Sequence, residues 1–243
     1  MYLPVRQRIL GLLFLQPMIA GLAVAQPTPQ NIPVVPAIET IIARMEQARA
    51  ENRAQLRPYK VIRDYTLFGK EKHKARFEAT AHLTFVPPNS RKYSIQRAEG
   101  LGIGEKIVRQ MLDGETQIVQ NYGSTDISPA NYNLRLLRQE FLNGQLCHVI
   151  ELSPRRKDNN LLHGHVWVDT NTYLLRRLEG KPAKGPSWWL KDARIAFVYG
   201  DVNGMWLQTS SESNANVRLL GPFTMVSRDV SYEIGEPLAQ GAR

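Results

Sequence analysis

A chain of 243 residues with 43% hydrophobic side chains can build one large β domain or two small ones around a real core. One cysteine, Cys147, excludes an internal disulfide framework and any zinc or iron–sulfur centre built from cysteines. Thirty-one basic against 22 acidic residues, a net charge of +9, invites nucleic acid or an anionic membrane as a partner, and the compartment decides between them.

The N-terminus speaks to the compartment. Arg6 and Arg8 form a positive region, Ile9 to Val24 is mostly apolar, and Ala23-Val24-Ala25 is a small-x-small cleavage motif. That order predicts a secretory signal peptide over 1–25. The apolar run is short and interrupted for a retained span of about 20 residues. Removing Arg6 and Arg8 takes the 31 basic residues to 29 against 22 acidic, or +7. An exported protein of that charge meets anionic head groups and envelope polymers. No RNP, zinc-finger or basic-helix pattern supports nucleic acid. The expected location is the periplasm.

Pro27, Pro29, Pro33 and Pro36 mark 26–36 as an extended tether. Ala37 to Leu56 reads as a helix, with Ile38, Ile41, Ile42 and Met45 at i, i+3, i+4 and i+7. After Pro58 the period changes to two. Tyr59 to Phe68 is a strand candidate. In Ala75 to Val86, the residues Ala75, Phe77, Ala79, Ala81, Leu83 and Phe85 share one face, as in a half-buried antiparallel strand. Lys92 to Ala98 continues the sheet after Pro87-Pro88-Asn89. Gly104 to Val119 has helical spacing, and Gly114 within it predicts two short helices or one broken helix.

From Asn133 the chain reads as a meander. Leu134–Leu142 and Gln145–Leu152 flank Asn143-Gly144, a type I′ hairpin signal. Leu161–Asp169 with Tyr173–Glu179, and Asp192–Tyr199 with Met205–Ser213, form further pairs. The second of these turns at Asp201 to Gly204, and Phe223–Ile234 is the last strand. The 235–243 segment reads as a tail. The expected fold is α+β: one domain over 37–234, a strongly curved, unclosed antiparallel sheet of about ten strands, with two or three helices on its concave face.

The search for chemistry finds no template. Gly100 to Lys106 fits neither phosphate-loop nor dinucleotide spacing. His163 and His165 share a strand face, with Asp169 further along, but no third ligand at suitable spacing stands out. Cys147 and His148 are adjacent on a strand and point to opposite faces. No serine sits in a G-x-S-x-G elbow. Neither a catalytic residue, a metal nor a cofactor is implied.

Two loops stand out instead. Gly180 to Asp192 is longer than a hairpin needs, and carries Trp188, Trp189 and Leu190 among Lys181, Lys184 and Lys191. Indoles favour the membrane interface and lysines favour anionic head groups, so Lys184, Trp188, Trp189, Leu190 and Lys191 are candidates for a lid or membrane contact. The alternative is that the tryptophans pack back on the sheet. Arg155-Arg156-Lys157 is a second basic cluster, either a solvated loop or a contact for an acidic partner.

The order of elements resembles the periplasmic lipoprotein carriers of the LolA/LolB type and their outer-membrane lipoprotein-sorting relatives. The resemblance runs from about Ala37 to Ile234. It is carried by Gly144 to Pro154, then Gly164-His-Val-Trp-Val-Asp169, then Tyr173 to Glu179. It implies an unclosed barrel with an apolar cavity for acyl chains of lipids or lipoproteins, with membrane surfaces and envelope proteins as partners and no covalent chemistry. Candidate lining residues are Phe77, Leu83, Phe85, Ile195, Phe197, Met205 and Leu207, each of which taken alone reads as plain core, so that the expectation concerns the set. A sensor of the same fold that binds a regulatory partner is the rival reading.

Overall fold

The computed structural model describes residues 35–121, 123–185 and 190–236, with Leu190 described by its backbone alone. The signal-peptide reading, nearly all of the tether, most of the tail, and Trp188 and Trp189 lie outside them. Among the described residues the elements run α1 (Ile38–Ala54), β1 (Tyr59–Phe68), β2 (Ala75–Val86), β3 (Ser90–Gly100), α2 (Gly102–Gln120), β4 (Tyr132–Leu142), β5 (Gln145–Pro154), β6 (Leu162–Asp169), β7 (Leu175–Pro182), β8 (Leu190–Val202), β9 (Met205–Val217) and β10 (Gly221–Ile234).

All ten strands join one antiparallel sheet in the order β3-β2-β1-β10-β9-β8-β7-β6-β5-β4. The meander is broken once, where α2 carries the chain from one edge strand, β3, to the other, β4. The last strand then returns beside the first, Phe68 opposite Thr224 and Tyr59 opposite Ile234. The sheet is unclosed, as the sequence predicts. No described helix is long and apolar enough to cross a membrane.

Strand parity sets the core. On β1 the buried residues are Val61, Arg63, Tyr65 and Leu67, and on β2 they are Phe77, Ala79, Ala81, Leu83 and Phe85. Two apolar clusters result. One gathers β1, β2 and β10 under Val108 and Leu112 of α2. The other gathers β5 and β6 under Ile41 and Met45 of α1. Asn52 ties the end of α1 to β9, donating from Nδ2 to the Trp206 carbonyl at 2.9 Å and accepting the Trp206 N–H at 2.7 Å.

Turn chemistry follows the residues. Asn143 and Gly144 take φ of 51° and 80°, the left-handed pair of a type I′ turn. β7 starts at Leu175 rather than Tyr173. Tyr173 sits at φ 57° in a turn braced by Asp169, whose carboxylate accepts the N–H groups of Asn171 and Thr172.

α2 is one continuous helix and not the broken pair that Gly114 suggests. The space a Cβ would fill at Gly114 is open, so glycine costs only its propensity, about 1 kcal/mol. Packing on both sides of it outweighs that cost: Leu112 is buried, and Glu115 is held by two arginines. Gly104 has a different role. A Cβ there would lie 2.2 Å from Cγ of Phe77, so the missing side chain is what lets α2 seat on β2.

The two glycines therefore separate by substitution. Gly104→Val overpacks the seat and should cost about 1–3 kcal/mol. Gly114→Ala should stabilise by up to about 1 kcal/mol. Thermal unfolding reads both, at roughly 2–4 °C per kcal/mol for a chain of this size.

Candidate functional site: an apolar cavity between two helices and the sheet

α2 carries two apolar stripes. Gly104, Val108 and Leu112 recur at i, i+4 and i+8 and press onto the sheet. Ile107, Met111 and Ile118 recur at i, i+4 and i+11, remain only half-buried, and face a cavity. Met45 of α1 and Ile127 of the segment before β4 close a second wall. The floor comes from β7 to β10 and the end of β1, including Leu175, Leu178, Ile195, Phe197, Phe223, Met225 and Leu67. Its volume is about 460 Å³.

The space has a local cause. On β9, Ser213 and Ala215 line the cavity where larger side chains would fill it. Ser211 and Ser227 spend their hydroxyls on each other at 2.7 Å, buried between β9 and β10. Small floor residues beneath a half-buried helical stripe leave room that neither helix fills.

One end of the cavity is polar. Glu115 of α2 lines it and meets Arg63 of β1 and Arg91 of β3, each at 2.9 Å. Arg63 is 2% exposed and also donates to both carboxylate oxygens of Asp229 on β10. Burial opposes the charge on Arg63, but Glu115 and Asp229 outweigh it and raise the guanidinium's pKa. Tyr232 donates its hydroxyl to Asp229. Burial first, and then Asp229, push that phenol up. Tyr199, paired across strands with Gln208, also lines this end, and burial raises its phenol. The Nε2 of Gln208 is buried and lacks a hydrogen-bond partner among the described residues.

The residues named from sequence fall in different places. Ile195 and Phe197 line the cavity. Phe77 and Leu83 are buried in the cluster beneath α2, and Phe85 stacks on Tyr59 with ring centroids 5.1 Å apart. Met205 is 1% exposed and accepts the Arg57 N–H at its sulfur, 3.3 Å away. Leu207 is half-buried and precedes Gln208, so strand alternation turns it away from the cavity. Lys184 and Lys191 are exposed. Pro182, at the end of β7, and Ala193, near the start of β8, both line the cavity.

The remaining motifs have structural partners. Arg155 and Arg156 brace the segment before β4, through the Tyr132 carbonyl and through Asn131 and the Ser124 carbonyl. Asp169 pairs with Arg176 at 2.6 Å. Cys147 is buried on β5, and burial raises its thiol pKa. Sequence reasoning passed over the α2 stripe, Tyr199 and Gln208. The available signals were Arg63 at a core parity of β1 and Thr209 to Ala215, a strand segment without one large apolar side chain.

The ion cluster makes α2 separable from the sheet. Arg63→Met leaves Asp229 buried without its cation, and Glu115 with Arg91 alone, and should cost about 3–5 kcal/mol of global stability. Glu115→Gln keeps the Arg63–Asp229 pair and should cost about 1–3 kcal/mol. In hydrogen exchange the second loss should fall on α2 amides and spare the β1–β10 ladder. Equal loss in both would contradict the division.

Among solved structures, a LolA superfamily protein of Nitrosomonas europaea is 11% identical and covers 83% of this chain and 95% of its own, at a TM-score of 0.43. A domain assigned to outer membrane lipoprotein sorting in Vibrio parahaemolyticus is 13% identical with the same coverages, at 0.42. The Mycobacterium tuberculosis lipoprotein LppX is 10% identical and covers 83% of this chain and 98% of its own, at 0.29. Neither a family model nor a curated protein sequence matches the chain. The resemblance read from the sequence thus recurs among solved structures, at likenesses too low to carry function.

Proposed function

We infer that the protein is an envelope carrier or binding protein for lipids or acylated lipoproteins, and that it holds an acyl chain in the cavity between α1, α2 and β7–β10. The observation that supports this reading is the cavity. Its volume of about 460 Å³ lies within the roughly 300–1,000 Å³ usual for small-molecule sites. At about 30 Å³ per water-sized group it takes roughly fifteen heavy atoms. That is the scale of one acyl chain.

Burial supplies the affinity, at about 0.8 kcal/mol per methylene group. Glu115, Arg91 and Gln208 line one end of the cavity and supply its polarity. No bond is made or broken. Release then requires a membrane or partner that offers the chain a better site. The signal-peptide reading places this exchange in the periplasm.

A fluorescent fatty-acyl probe tests the reading. The wild-type chain should bind it saturably. Ala215→Phe, which grows a ring from the floor, should weaken binding at least about tenfold, or 1.4 kcal/mol. Phe141→Ala, at a side chain 73% exposed away from the cavity wall, should leave it unchanged. Gln208→Leu, which removes a buried donor without a partner among the described residues, should raise Tm. Absence of saturable binding, or equal binding by wild type and Ala215→Phe, would refute the acyl site.

A further inference from the structure

The hairpin connections of the sheet are segregated by charge. At one end lie Pro87–Asn89, Asn143–Gly144, Thr170–Leu174 and Asn203–Gly204, and none of these residues is charged. At the other end lie the β1–β2, β5–β6, β7–β8 and β9–β10 connections. They hold Lys70, Lys72, Lys74, Arg155, Arg156, Lys157, Lys184 and Arg218 against Glu71 and Asp158, eight basic residues to two acidic. Antiparallel register brings these connections together. Leu162 faces Pro182, Leu190 faces Val217, and Phe68 faces both Ala75 and Thr224. Gly221 lies close enough to Lys70 for an added Cβ to meet its Cε at 3.5 Å.

The same end presents apolar side chains to solvent. Leu219 is 99% exposed and Leu220 is 53% exposed. Leu219 holds φ at 71°, a left-handed position that suits glycine or asparagine and costs a bulky residue. Asn143 and Asn203 take that geometry in the hairpins of the opposite end. A leucine held in this geometry with nearly its whole side chain in water gains nothing for the fold. Three exposed residues on the cavity rim, Asn159, Arg194 and Asn214, also lie toward this end.

We propose that this end is a docking surface for an anionic lipid bilayer. Leu219 and Leu220 enter the interface, Lys70, Lys72 and Lys74 rest on the head groups, and the cavity rim faces the membrane. Lysines beside an exposed apolar pair match such a surface in both charge and chemistry. The orientation of the rim rests on the acyl-site reading above. The docking surface itself rests on charge and exposure.

Flotation of the full chain with phosphatidylethanolamine–phosphatidylglycerol vesicles tests it, with phosphatidylcholine vesicles for comparison. Wild type should float with the anionic vesicles, and do so less at high salt. Leu219→Asp/Leu220→Asp and Lys70→Glu/Lys72→Glu/Lys74→Glu should each lower binding at least tenfold while keeping wild-type Tm and wild-type binding of the soluble acyl probe. Variants that float like wild type would overturn the proposal, as would a wild type that ignores anionic vesicles or binds phosphatidylcholine equally. Probe binding in the same samples reports on the acyl site separately, so failure of one reading is distinct from failure of the other.

Discussion

A ten-stranded sheet spans nine inter-strand spacings, roughly 43 Å across its strands. Each helix covers a stripe about 10 Å wide. Among the described residues α1 and α2 are the helices that cover it, and each keeps to one flank. Val108 and Leu112 sit over β1, β2 and β10, while Ile41 and Met45 sit over β5 and β6. The cavity is what lies between these two cores. Its walls are the flanks of those cores, with Ile107 and Met111 beside Leu67, Phe223 and Met225 on one side and Met45 and Ile127 on the other, and with Ile195 and Phe197 between them.

The buried ion cluster decides where α2 can stand. Glu115 reaches Arg63 and Arg91, and Arg63 is itself fixed by Asp229 across the β1–β10 pair. Such a cluster adds little net stability compared with an apolar core of equal volume. What it adds is position, because α2 satisfies both arginines in one placement. The helix is thereby held over the sheet by a polar bond at one end of the cavity, while its apolar stripe remains available.

Strand placement was legible wherever period two was strong. β1 and β2 run over the residues that the alternation marks, and Asn143-Gly144 turns where its positive φ angles require. Helix α2 was less legible, because the penalty at Gly114 is local and the packing that overrides it is not. The cavity was the least legible. Phe77 and Phe197 look alike in sequence, yet one lies under α2 and the other faces the gap, and only the distance between the helices separates them. The informative residues were small or charged: Ser213 and Ala215 on β9, and Arg63 among Val61, Tyr65 and Leu67. A search for large apolar side chains passes over all three.

Methionine methyl groups offer the most direct test of the acyl site. Met45, Met111 and Met225 line the cavity from α1, α2 and β10, while Met205 is buried outside it. With ¹³C-methyl methionine, titration by a single-chain acyl lipid should shift the first three resonances together and saturably, and leave Met205 in place. Resonances that stay still, or a Met205 that moves as much as the others, would contradict a chain bound between the helices and the sheet.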